Sequence, residues 1–114
     1  TGRRTNYSRS PLFYEEPEGI SPDGTWILVE RTIGIVLFPA GLDIWSLSLD
    51  GRATYKRLTD FTRHKGFGAS NPTVSPDGTQ IVFQLSVVTD EADETGQGDG
   101  ILIYDLEAAP GGST

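Results

Sequence analysis

The densest set of would-be ligands lies in residues 87–99, where Asp90, Glu91, Asp93, Glu94 and Asp99 are interleaved with Gly96 and Gly98. Carboxylates clustered among glycines supply the oxygen atoms that Ca2+ takes as ligands, and Asp90, Asp93 and Asp99 form the trio to consider for it. Their spacing does not follow the EF-hand order, and no Glu closes the set in register. The segment therefore reads first as a solvated acidic loop, and no metal or other cofactor is assigned. His64 is the chain's single histidine. An imidazole can move protons near neutral pH, but no nucleophile or second histidine accompanies this one. It reads as solvent-facing or bonded to backbone.

Covalent catalysis has no better footing. No Gly-x-Ser-x-Gly elbow presents a serine for acyl transfer. The chain has no cysteine, so thiolate nucleophiles, disulfides and Cys-based zinc sites are all excluded. Gly96-Gln97-Gly98-Asp99-Gly100 is glycine-rich, yet it lacks the Lys-Ser/Thr ending and the following helix of a phosphate loop. Glycoside hydrolysis would need two carboxylates facing one sugar; acids are plentiful, but nothing singles out a pair. The sequence is read as that of a non-enzyme.

Charge narrows the partners. The net charge of −7 is uneven: Arg3, Arg4 and Arg9, with no acid, make residues 1–14 basic, while 16 acids against 6 bases leave the remainder at −10. An acidic body repels phosphate backbones, so nucleic acid is not expected as a partner. The basic leader reads as a solvated terminus. The longest apolar run, Ile33 to Leu42, is interrupted by Gly34, Pro39 and Gly41, well short of the roughly 20 residues that span a bilayer as a helix. The opening Thr1-Gly2-Arg3-Arg4 and the lack of any Met read as those of an excised or processed piece.

The elements that must position any site follow from an internal repeat. Ser21-Pro22-Asp23-Gly24-Thr25 recurs unchanged as Ser75-Pro76-Asp77-Gly78-Thr79, 54 residues later. Proline fixes φ in a tight turn, the aspartate can accept nearby backbone N–H groups, and glycine tolerates positive φ. Asp23 and Asp77 are therefore turn-fixing residues rather than catalytic ones. Each pentad leads into a β-prone run, Trp26–Val29 or Gln80–Leu85, and later into a second one, Asp43–Leu49 or Gly100–Leu106. Asp50-Gly51 marks another hairpin turn, followed by a short strand candidate, Tyr55–Thr59. With 14 Gly and 7 Pro, the composition suits many short strands joined by turns.

These motifs resemble the PD40 repeat of TolB-type β-propellers, the WD40-like family also found in front of prolyl-oligopeptidase-type catalytic domains. The first copy matches from Gly19-Ile20 and Ser21-Pro22-Asp23-Gly24 through Asp43-Ile44-Trp45 and Asp50-Gly51 to Arg57-Leu58-Thr59. The second matches from Asn71-Pro72-Thr73-Val74 to Tyr104-Asp105-Leu106, and its closing strand is missing. The resemblance implies an all-β fold of two antiparallel blades, either part of a propeller or completed by other chains. It divides the sequence into an N-terminal segment 1–16, an exchanged or outer strand among its roles; repeats at 17–62 and 63–107; and a flexible tail, 108–114. Within the first segment, residues 7–14 are the ones considered for the absent outer strand. A periplasmic or extracellular location is implied by the resemblance alone.

Strands are expected at 17–20, 26–30, 43–49, 55–59, 72–75, 80–86 and 100–106. Antiparallel order then puts the tight turns at one end and the longer connections, 31–42, 60–71 and 87–99, at the other. Long connections on a rigid scaffold are where recognition is built. Ile35, Leu37 and Phe38, from an apolar connection unsuited to bare solvent, join His64, Lys65 and Phe67 as binding-face candidates. The expected function is a scaffold that binds proteins or copies of itself, because two blades cannot close a ring and would leave apolar faces and strand edges open. Two alternatives are an accessory propeller beside a hydrolase and a carbohydrate-binding or structural surface protein that stacks sugars on Trp26, Trp45 or Tyr104.

Overall fold

Alternation of apolar and polar residues over short runs dictates strands, and strands are what form. The computed structural model describes residues 2–9, 14–32, 42–61, 67–87 and 100–106. Seven strands follow in order: β1 (Glu15–Ile20), β2 (Trp26–Thr32), β3 (Leu42–Ser48), β4 (Tyr55–Arg57), β5 (Phe67–Val74), β6 (Gln80–Val87) and β7 (Gly100–Asp105). They make two antiparallel sheets, ordered β1-β2-β3-β4 and β5-β6-β7. Among the described residues no helix is long and apolar enough to cross a membrane.

The two pentads build the same turn. Gly24 N–H donates to Ser21 O and Gly78 N–H to Ser75 O, both at 2.9 Å, with the glycines at φ +74° and +75°. In each copy the serine hydroxyl donates to the aspartate, at 2.8 and 2.7 Å, and accepts the N–H of Trp26 or Gln80, at 3.1 and 3.0 Å. The aspartate also accepts from Thr25 or Thr79, through both backbone and hydroxyl. The serine and aspartate side chains of each turn thus have local partners, and L-residues resist the glycine position. The Asp50 turn is looser than a two-residue hairpin. Residues 49–54 connect β3 to β4, Ser48 N–H donates to Thr54 O at 3.0 Å, and Gly51 and Ala53 both have positive φ.

The sheets lie face to face. Trp26, Leu28 and Ile44 of the first pack with Ala69, Ile81 and Phe83 of the second, and Leu58 joins them from the stretch after β4. Phe61 tilts against Phe83 with ring centroids 5.7 Å apart. At the turn end a side-chain carbon on Gly78 would stand 3.6 Å from Pro22 Cδ, so the twin turns sit side by side. At the other end Gly68 lies against the backbone of Leu42.

β5 starts at Phe67, within the 60–71 segment expected to be a connection. Its Phe67-Gly68-Ala69-Ser70 start shows no apolar alternation; small residues are required there because β5 runs against β3. The strand then bulges between Ser70 and Thr73, where Asn71 takes φ +52°, and β1 bulges likewise between Pro17 and Gly19. Prolines are tolerated at such points of the ladder.

Outside the hydrophobic core, Asp43 is the most heavily engaged buried side chain. Fully buried on β3, it accepts hydrogen bonds from Arg57 Nη2 (2.6 Å), Thr59 Oγ1 (2.5 Å) and Phe61 N (2.8 Å). It thereby ties the chain leaving β4 back to the sheet. Asp43→Ala would take this acceptor from the Thr59 hydroxyl and the Phe61 N–H, while Arg57 keeps Asp60 (3.1 Å) and the Thr59 carbonyl, and should lower unfolding stability by about 2–3 kcal/mol, read as a fall in the urea midpoint. Ser46 Oγ, in contrast, is buried without a partner. Ser46→Ala should be neutral or stabilise by about 1 kcal/mol in the same measurement, because it removes an unpaired hydroxyl.

Candidate binding surface

Equal alternation in both sheets leaves one difference between them. In the first sheet Trp26, Leu28 and Ile44 are covered by the second. In the second sheet the face turned away from that contact carries Val82, Ile101 and Ile103 (Ile103 pairs with Val82, Ile101 with Gln84). Ile101 is 78% exposed and Ile103 66% exposed. Residues this apolar in the middle of a strand are placed for contact, since solvent-facing strand positions are usually polar. Beyond them β7 has no strand partner among the described residues, whereas β3 at the corresponding place is paired by β4. An open cleft of about 390 Å3 runs there, between Lys56, Arg57 and Leu58 on one side and Ile103, Tyr104 and Leu106 on the other. An unpaired strand edge beside exposed isoleucines is an association surface in physical terms: it offers backbone hydrogen bonds and apolar area together.

The opposite outer face, on the first sheet, is built differently. Arg31 stacks over Tyr55 (4.0 Å to the ring centre) and Trp45 (5.4 Å) and pairs with Glu15 at 3.1 Å. Tyr55 also donates its hydroxyl proton to Glu15, and Arg57 lies over the other flank of Trp45 at 5.5 Å. These long side chains lie over a face whose Val29 and Leu47 are buried.

Between the sheets sits a carboxylate cluster that the sequence did not announce. Glu16 and Glu18 of β1 and Glu30 of β2 bring oxygens within 4.8 Å of one another. Glu30 is only 4% exposed, and one of its oxygens accepts the N–H of Asn71 at the bulge of β5. Burial pushes the Glu30 carboxyl from 4.5 up to about 7, Glu18 and Glu16 add to the rise, and the Asn71 N–H opposes it. Tyr14 donates to Glu16 at 2.5 Å, and this bond to a carboxylate raises the phenol to about 12. The visible role of Glu30 is structural: it satisfies a backbone donor exposed by the bulge of the neighbouring sheet. Its signal in the sequence is an acid that directly follows the apolar run Trp26–Val29 and falls, by strand alternation, on the face of Trp26 and Leu28.

The turn residues Ser21, Pro22, Asp23, Gly24, Ser75, Pro76, Asp77 and Gly78 are brought together as neighbouring turns at one end. The strand ends joined by the longer connections lie at the other. Of the binding-face candidates, Phe67 opens β5 opposite Val87. Ile35, Leu37, Phe38, His64 and Lys65 lie outside the described residues, as do the calcium candidates Asp90, Asp93 and Asp99. Of the sugar-stacking candidates, Trp26 is buried in the core and Trp45 is half-buried between two arginines, while Tyr104 is 46% exposed. No protein-family model matches the chain, and neither does any curated protein or solved structure.

The carboxylates set opposing pH dependences. Glu30 holds its proton more tightly folded than unfolded, so its contribution to stability is full below about 4.5 and declines as pH rises toward 7. The turn aspartates act with the other sign. The Thr25 hydroxyl lowers Asp23, the Arg52 N–H lowers Asp50, and the Ser75 hydroxyl lowers Asp77 to about 2. Their contribution is lost as pH falls through and below the ordinary value of 3.8. Urea midpoints followed across pH should therefore fall on both sides of a maximum at about pH 4–5. Glu30→Gln should flatten the alkaline side and leave the acid side as it was.

Proposed function

We propose that this chain is a non-catalytic segment of a TolB-type β-propeller, each sheet being one blade, and that it acts by binding proteins, copies of itself included. The observation that carries this reading is the pair Ile101 and Ile103, 78% and 66% exposed beside the open edge of β7. Three facts support the blade assignment. The sheets follow the repeat in the sequence, their strands are ordered consecutively from β1 outward, and they stack face to face rather than forming one continuous sheet. Because the fold serves unrelated tasks, the function rests on the exposed surface and not on the fold. An accessory role beside a hydrolase domain would use the same surface. A place in the periplasm or outside the cell rests on the family resemblance alone.

Sedimentation of the purified chain tests the association. At micromolar concentration the wild type should sediment as a species larger than its 12.4 kDa protomer. The double variant Ile101→Lys, Ile103→Lys, with unchanged far-ultraviolet circular dichroism, should sediment as the protomer. A wild type that remains a protomer, or a variant that assembles equally well, contradicts the proposal.

A further inference from the structure

β1 is thinly supported for a strand that closes one side of its sheet. It has β2 on one flank and no strand on the other among the described residues. Its ladder shifts register between Pro17 and Gly19, and Pro17 has no N–H to give. The two faces of β1 are held in opposite ways. On the outer face Glu15 pairs with Arg31 at 3.1 Å and accepts the Tyr55 hydroxyl. On the inner face Glu16 stands directly opposite Glu30 of β2, and Glu18 follows it by one alternation. Oxygens of these three carboxyl groups lie within 4.8 Å of one another. Like charges set opposite each other in a strand pair push the strands apart.

The elements packed on this side turn no cation toward the three acids. Arg31 is on the opposite face of β2, and β5 and β6 contain no charged residue. What β5 offers is Asn71: its N–H donates to Glu30, while its side-chain amide donates to Gln84 at 2.9 Å. Tyr14, at the start of β1, donates its hydroxyl proton to Glu16 at 2.5 Å. A neutral Glu30 keeps a carbonyl oxygen for the Asn71 N–H and gains an O–H to direct toward the other two acids. An ionised Glu30 instead places a third charge at a position only 4% exposed, where water screens little. Burial sets the titration of this carboxyl at about 7, so the change falls near neutrality.

We propose that β1 is a proton-dependent latch, closed on β2 and β5 while Glu30 is neutral and released along residues 16–19 when Glu16, Glu18 and Glu30 are all ionised. Release bares the backbone edge of β2 and the flank of β5 at Asn71. It leaves the core of Trp26, Leu28, Ile44, Ile81 and Phe83 in place. The Ser21 N–H, bonded to Trp26 O at 2.8 Å, still ties the far end of β1 to the turn. The sign follows from the Glu30 carboxyl, which is raised above the ordinary 4.5. It supports the closed strand fully below that value and withdraws support as pH climbs through about 7. The latch does not depend on the association face of the second sheet.

Amide hydrogen exchange of the full chain, followed by NMR and referred to the unfolded peptide at the same pH, tests the latch. Thr32 N–H donates to Tyr14 O at 3.3 Å and Asn71 N–H to Glu30, so these two amides report on β1. Leu49 N–H, bonded to Thr25 O, and Leu58 N–H, bonded to Ile44 O, report on the rest of the first sheet. Between about pH 5 and about pH 8, the protection of the first pair relative to the second should fall about tenfold, as a local opening requires. In Glu30→Gln, whose amide copies the neutral acid, this ratio should not change with pH. Glu16→Gln keeps the bond from Asn71 to Glu30 and removes one charge, so the fall should shrink to about threefold. A wild-type ratio that is constant across pH overturns the latch, and so does a Glu16→Gln ratio that falls as far as the wild type's.

Discussion

A sheet that is apolar on one face is stable only where something covers that face, and neither sheet here supplies its own cover. The contact of Trp26, Leu28 and Ile44 with Ile81 and Phe83 meets that need for one pair of faces. Much else in the molecule serves the contact. The pentad turns set the start of β2 and β6 so that the alternating side chains fall on the correct sides. The Asp43 cluster bends the chain after β4 so that Leu58 and Phe61 reach the same core. Glu30 caps the bulge of β5, which faces it from the second sheet.

The two outer faces then differ for a reason. On the first sheet, arginines lie over aromatic rings and pair with acids, which keeps charge in contact with water and covers apolar atoms beneath. On the second, isoleucines stand bare at strand positions where polar residues would cost nothing. Apolar exposure of this sort raises the free energy of the isolated chain and lowers that of a complex, so the outer face of the second sheet is the less finished of the two, although Ile20 stands 59% exposed at the edge of the first.

The pentads and their following runs were legible because turn chemistry is local: proline, aspartate and glycine at fixed offsets leave few alternatives. The all-β architecture could be read in the same way. The start of β5 could not. Gly68 and Ala69 are chosen by the neighbouring β3, and small residues selected by a tertiary contact carry no strand signature. The Asp43 cluster is half visible, since both Asp43-Ile44-Trp45 and Arg57-Leu58-Thr59 stand out as motifs, but nothing in the linear order says that one binds the other. The exposure of Ile101 and Ile103 was hidden as well: alternation shows which residues share a face, not which face is left uncovered.

Gly78 beside Pro22 and Gly68 beside Leu42 place a minimal residue at each end of the line along which the sheets meet. Together they act as a pair of thin shims that fix the dihedral between neighbouring layers. A methyl group would stand at ordinary contact distance in either place, whereas a longer side chain would press on Pro22 or on the Leu42 backbone. The spacing between the two sheets is thus set at its two ends as well as by the large rings of Trp26 and Phe83 between them.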